Sequence, residues 1–194
     1  MPIEIFGMAS GVLSLIGLLL YGRSVVWGET KPLKSTWFLW ALNGFLLMSS
    51  YEASGADATV WLSLGYAVGC VCIFALTLKF GESGWQKIEI FCLIGAGIGA
   101  ILWWLTGSPE IAFYSTLVID MCGVVPTILH SKNKPSDESL LAWGVMFLGG
   151  VVSLFAIEEW LPLTLESVTI VAYPIQITLT AGLITWFLRK EPLK

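Results

Sequence analysis

The chain has 194 residues, 56% of them hydrophobic and 12% charged, with a formal net charge of −4. Soluble domains carry about 25% charged residues, and the mean hydropathy of +0.81 excludes an ordinary water-soluble domain. No nucleic-acid partner is expected; the expected surroundings are a lipid bilayer.

A membrane-crossing helix needs about 20 mostly apolar residues, and seven runs approach that length. The first, Ile5 to Tyr21, follows a leader, "MPIEIF", without Lys or Arg. Its first basic residue, Arg23, comes after the apolar run, the reverse of a signal peptide, so a retained helix is predicted. The second run, Ser35 to Tyr51, carries Trp40 and Asn43 one turn apart. The third spans Val60 to Phe80. The fourth, Ile88 to Leu105, contains "GAGIGA" from Gly95 to Ala100, where Gly95 and Gly99 have the four-residue spacing that lets helix backbones approach. That motif reads either as packing within the chain or as pairing between copies.

The fifth run, Ile111 to Leu129, holds Asp120 and Pro126. A carboxylate at mid-membrane costs about 2.5–3.5 kcal/mol on insertion scales, so it must face protein or water. Pro126 removes one backbone bond from its helix and reads as a hinge or a fixed kink. The sixth run, Leu140 to Ile157, begins with Trp143 near its entry. The seventh, Ser167 to Leu188, places Thr169, Tyr173, Gln176 and Thr180 on one helical face, with Pro174 as a second hinge candidate. Strict alternation of polar and apolar residues is missing, which argues against a membrane barrel.

The charges give an independent reading of topology. Arg23, Lys31 and Lys34 lie between runs one and two, and Lys79 and Lys87 bracket the loop between three and four. Lys132 and Lys134 lie between five and six, and Arg189, Lys190 and Lys194 follow run seven. All ten basic residues thus fall on one side of a seven-helix arrangement. The other side carries Glu4, Glu52, Asp57, Glu110, Glu158, Glu159 and Glu166. The positive-inside rule then predicts the N-terminus outside and the C-terminus in the cytoplasm, in a multi-pass protein of the cytoplasmic (inner) membrane.

Two stretches, "KPLKSTWFLW" from Lys31 and "KPSDESLLAW" from Lys134, align at a shift of 103 residues and bring Trp40 onto Trp143. The same shift lays run one on five, two on six and three on seven. Residues 1–80 and 108–194 then form two three-helix repeats, and residues 81–107 hold a linker helix that restores parallel orientation. Under this shift Tyr66, Cys70, Ile73 and Thr77 stand opposite the polar face of run seven. The features "GETKPLKSTWFLW" and "SKNKPSDES" after Pro126-Thr127 resemble the PQ-loop superfamily, with its SWEET and SemiSWEET sugar transporters, and the vitamin transporters of the PnuC type. That resemblance implies a 3+1+3 helical membrane fold with a solute site near the midplane. The signature Pro-Gln pair is Pro126-Thr127 in one repeat and Arg23-Ser24 in the other, and runs three and seven lack the Asn of the sugar transporters.

Other chemistries lack the residues they need. The single His, His130, cannot form a bis-His haem site, and no Lys lies mid-run for a retinal Schiff base. Cys70, Cys72, Cys92 and Cys122 sit inside apolar runs and read as small fillers. No metal site, cofactor or catalytic residue is expected, and the chain is read as not an enzyme. The expected function is transport of a small polar solute (a sugar, vitamin or amino acid), with Asp120, Asn43, Tyr173, Gln176, Thr180, Trp40 and Trp143 along its path. The bland alternatives are interhelical hydrogen bonds for the polar residues and interfacial belts for the Trp residues, Trp61, Trp103 and Trp104 included. A non-transporting receptor or complex subunit, and a homo-oligomer, are the competing expectations at the level of the whole protein.

Overall fold

A computed structural model describes residues 3–82, 87–158, 160 and 165–189 of the chain. Glu159, Lys190 and Lys194 lie outside the described residues, as do the side chains of Cys92, Ala96, Gly99, Ala100, Trp103, Cys122 and Glu166. The described residues form seven α-helices: α1 (Ile3–Val26), α2 (Lys34–Ala53), α3 (Val60–Phe80), α4 (Lys87–Thr106), α5 (Pro109–Asn133), α6 (Leu140–Leu154) and α7 (Leu165–Arg189). One 3-10 turn, Pro135–Asp137, precedes α6. No strand occurs among the described residues, only an isolated bridge between Leu33 and Glu82.

Among the described residues, four helical stretches are long and apolar enough to cross a membrane: Ile3–Val26, Val60–Phe80, Pro109–Asn133 and Val168–Arg189. Helix α2 is not among them, because Lys34, Asn43, Glu52 and four Ser or Thr side chains dilute its apolar character. Helix α6 has 15 residues and stops at Leu154, short of the predicted Ile157. Its end is tightened by three-residue bonds, Phe155 N–H to Val152 O at 3.1 Å and Ala156 N–H to Ser153 O at 3.0 Å. A continuous apolar run does not reveal such a tightening.

Local chemistry sets the other boundaries. Ser108 accepts from the Ile111 N–H and Pro109 opens α5, while Ser139 accepts from the Ala142 N–H to start α6. Each satisfies one of the orphan donors of a first turn. Gly28, at φ +75°, turns the chain after α1, where a residue with a Cβ would be strained.

Helix α1 packs on α3 and α6, α2 on α3 and α5, and α7 on α6 and α5, with α4 outside against α5. Glycines set the closest approaches. A Cβ on Gly7 would run into the Ala58 carbonyl, and one on Gly11 into the Trp61 carbonyl. On the facing helix, a Cβ on Gly65 would meet the Gly11 carbonyl, and one on Gly69 the Leu18 side chain. Both α1 and α3 therefore use glycines four apart. Gly95 and Gly97 of α4 have nothing within 4 Å of a built Cβ, so packing within the chain does not use them. Helix α4 instead presents Phe91, Ile94, Ile98, Ile101, Trp104 and Leu105 as exposed apolar side chains.

The loops that carry the basic residues meet at one end of the bundle. Lys31 N–H donates to Asp137 O at 3.2 Å, Lys34 N–H to Glu82 O at 3.1 Å, and Glu82 N–H to Pro32 O at 2.9 Å. The segment before α2 is thereby tied by main chain to the end of α3 and to the turn before α6.

Candidate functional site

A cavity lies among the helices, reached by α1, α2, α3, α5, α6 and α7. Asp120 is its one charged lining residue among those described, joined by Asn43, Thr180 and Cys70. Aromatic side chains make up much of the wall, Trp37, Trp40, Tyr66, Trp143 and Tyr173 among them.

The polar groups fall into pairs that cross between helices. Gln176 Nε2 donates to Asp120 Oδ2 at 2.8 Å, tying α7 to α5. Gln176 itself is not on the cavity wall; it stands beside Asp120 and holds its carboxyl in place. Asn43 Nδ2 donates to the Thr116 carbonyl at 3.0 Å, tying α2 to α5, and leaves Asn43 Oδ1 buried with no partner. Trp40 Nε1 is likewise buried and unpartnered. It sits so close to α5 that a Cβ on Gly123 would collide with the indole nitrogen. Unpaired buried polar atoms are uncommon and call for an explanation; two of them beside one cavity fit a site built to meet a guest.

Trp143 differs from Trp40 despite the matching sequence position. Its indole N–H donates to Glu138 Oε2 at 2.8 Å and so is not offered to the cavity. The rest of the polar face of α7 divides. Tyr173 and Thr180 line the cavity, whereas Thr169 pairs with the Tyr114 hydroxyl at 3.1 Å. Of the counterparts in α3, Tyr66 and Cys70 reach the cavity. Ile73 belongs to the apolar core, and the Thr77 hydroxyl turns back to the Phe74 carbonyl at 2.7 Å. Pro126 and Pro174 are buried inside continuous helices. Thr178 Oγ1 donates to Pro174 O at 2.7 Å, and Thr127 Oγ1 to Gly123 O at 2.9 Å.

Aromatic clusters flank the cavity at both ends. Towards the α2–α3 loop, Tyr51 stacks on Phe113 at 5.3 Å and meets Tyr173 edge-on at 5.6 Å. The Tyr51 hydroxyl donates to Ile170 O at 2.6 Å and lies 2.8 Å from Thr59 Oγ1. Towards the basic loops, Trp37 packs on Tyr21 at 4.9 Å and edge-on to Trp40 at 5.1 Å, with Trp143 beside Tyr21 at 6.1 Å. Behind Trp37 and Trp40 a second, smaller crevice holds His130, Glu138, Thr36 and Thr127. Burial pushes the Glu138 carboxyl up to about 7, against the lowering effect of hydrogen bonds from Trp143 and Tyr21; the nearby Asp137 charge adds to the rise. His130 Nε2 is buried there without a partner.

Sequence reasoning missed Glu138, Tyr51 and Trp37. Glu138 precedes Trp143 by five residues, and an acid placed just before a helix whose first turn holds a Trp is the one available signal. Trp61 and Trp104 are exposed, as belt residues would be. Among the described residues no group of His, Cys, Asp and Glu side chains is arranged to hold a metal ion. Compared with protein-family models, curated proteins and solved structures, the chain matches none.

Proposed function

We propose that the chain is a seven-span carrier of a small polar solute, working by alternating access in the cytoplasmic membrane with its N-terminus outside. The observation that carries this reading is the cavity beside Asp120, flanked by the Tyr51 cluster at one end and the Trp37 cluster at the other. A carrier must close one path while opening the other, and two separate aromatic plugs around a polar site provide for that. The packing supports a repeat of three-helix units. Shifting each helix by 103 residues converts the α1–α6 contact into α5–α2, α1–α3 into α5–α7, and α2–α3 into α6–α7. The PQ-loop resemblance supports the same reading through its implied 3+1+3 order.

A second reading, a non-transporting receptor or a subunit of a membrane complex, draws on the closure at both ends and on the exposed apolar face of α4. Stopped-flow swelling of proteoliposomes in a panel of small sugars, amino acids and vitamins separates the two. The carrier reading expects swelling with at least one solute, lost in Asp120→Asn. Failure of every solute to enter, from protein that is folded and inserted, favours the receptor.

A further inference from the structure

The central cavity offers spare acceptors beside one unpartnered donor, the Trp40 indole N–H. Asp120 presents a carboxylate of which Gln176, its hydrogen-bond partner among the described residues, uses Oδ2. Asn43, which also lines the cavity, donates its amide to Thr116 O and keeps a buried carbonyl oxygen without a partner. Among the described residues no Lys, Arg or His lines the cavity. A buried carboxylate without a counter-charge is costly, and pairing with an opposite charge offsets that cost. An anionic guest would be repelled by it. A neutral polyol would leave its charge uncompensated. A cation would answer both the charge and the spare oxygens.

The aromatic lining favours the same guest. Trp40, Tyr66, Trp143 and Tyr173 border the space around Asp120. Aromatic rings within about 6 Å attract a cation through their quadrupole, and by more where water is excluded, as in aromatic cages for quaternary ammonium groups. Trp40 is fixed by its fit against Gly123, and Tyr173 by its contact with Tyr51, so these walls are pre-formed.

We infer that the solute bound in this cavity is a small organic cation, an alkylamine or quaternary ammonium compound, with Asp120 as its counter-ion and the surrounding Trp and Tyr rings as its cage. The inference rests on the solute-carrier reading and narrows it to one charge class.

The test uses the full chain in detergent micelles, with tetramethylammonium and ethylammonium chloride as probes, erythritol and tert-butanol as neutral comparators, and sodium chloride at matched ionic strength. Tryptophan fluorescence and thermal unfolding report binding. Both cations should bind saturably and at least about tenfold more tightly than either neutral compound, with Asp120→Asn removing about tenfold or more of that affinity. Trp40→Leu supplies a second variant should Asp120→Asn fail to fold; it should weaken tetramethylammonium by at least about threefold. Neutral probes binding as tightly as cations, cations that never saturate, or wild-type affinity in folded Asp120→Asn would each overturn the inference. Saturable erythritol binding with silent cations removes the charge assignment and leaves the carrier reading intact. Asp120-dependent cation binding without flux in proteoliposomes does the opposite.

Discussion

Trp143 donates its indole N–H to the Glu138 carboxylate at 2.8 Å, while the indole N–H of Trp40, 103 residues earlier, has no acceptor. The residue 103 positions before Glu138 is Ser35, whose hydroxyl is also buried without a partner. Trp40 and Trp143 therefore stand at the cavity with different polar commitments. Trp143 is latched to the loop before its helix. Trp40 is held by packing, against Gly123 and edge-on to Trp37.

The latch carries a pH dependence. Burial raises the Glu138 carboxyl from its ordinary 4.5 to about 7. Below pH 4.5 the group is protonated in both folded and unfolded chains. Between 4.5 and 7 the folded chain keeps a proton that the unfolded chain has lost, so this group's contribution falls as pH rises and is gone above about 7. His130, Asp137 and Tyr21 face the same carboxyl. Thermal unfolding followed across that window should show a shallower slope in Glu138→Gln than in the wild type. An unchanged slope would assign the dependence to another group.

Asp120 and Gln176 form a pair that responds as a unit. Removing the Gln176 amide leaves a buried carboxylate with one hydrogen bond fewer, so Gln176→Leu should destabilise by about 1–3 kcal/mol. Asp120→Leu in the Gln176→Leu background should cost less than the sum of the single changes, with a coupling of at least about 0.5 kcal/mol. Unfolding in mixed micelles measures this cycle, and strict additivity would show that the pair does not interact.

Helix glycines with identical spacing should behave in opposite ways. Gly65→Val forces a side chain into the Gly11 carbonyl and should cost about 1–3 kcal/mol or more. Gly95→Ala meets open space and should be neutral, or stabilise by up to about 1 kcal/mol. Comparable losses at both positions in monomeric protein would contradict the packing of α1 on α3.

Cys70 provides a reporter of opening. It is buried and lines the cavity, whereas Cys72, two residues on, is exposed. In a chain with its other cysteines replaced, Cys70 should react slowly with a small cationic thiosulfonate, and a bound guest should slow it further. Reaction indifferent to any guest would separate Cys70 from the path.

The helices were legible because long apolar runs bounded by Gly, Pro and charge leave few other structures. The seven runs overlap α1 to α7; α1 and α5 run on past Tyr21 and Leu129 to Val26 and Asn133, and α6 stops short where three-residue bonds replace four-residue ones. Pairings were not legible. Asp120 and Gln176 are 56 residues apart in sequence, and nothing in either helix alone says that α5 and α7 bring them together. Spacing singled out the Gly95 motif, yet Gly7, Gly11, Gly65 and Gly69 have the same spacing and do the close packing, while Gly95 meets open space; only the facing backbone distinguishes them. Tyr51 and Trp37 were not singled out, because a sequence does not tell which aromatics of a run gather at the end of a cavity. Glu138 was read with its polar loop, since a sequence does not tell when a loop carboxylate is covered by the ring of a neighbouring helix.

The main-chain tie at the basic end has a mechanical consequence. Lys31, Lys34 and Pro32 bond backbone to backbone with Asp137 and Glu82, so the start of α2 is coupled to the end of α3 and to the approach to α6. Such a knot does not yield one side chain at a time. A tilt of α2 at this end drags the Glu138 turn with it, and with that turn the ring of Trp143. Main chain thus binds three elements into one block at this end, whereas at the opposite end side chains make the ties, the Tyr51 hydroxyl to the Ile170 carbonyl and Tyr114 to Thr169.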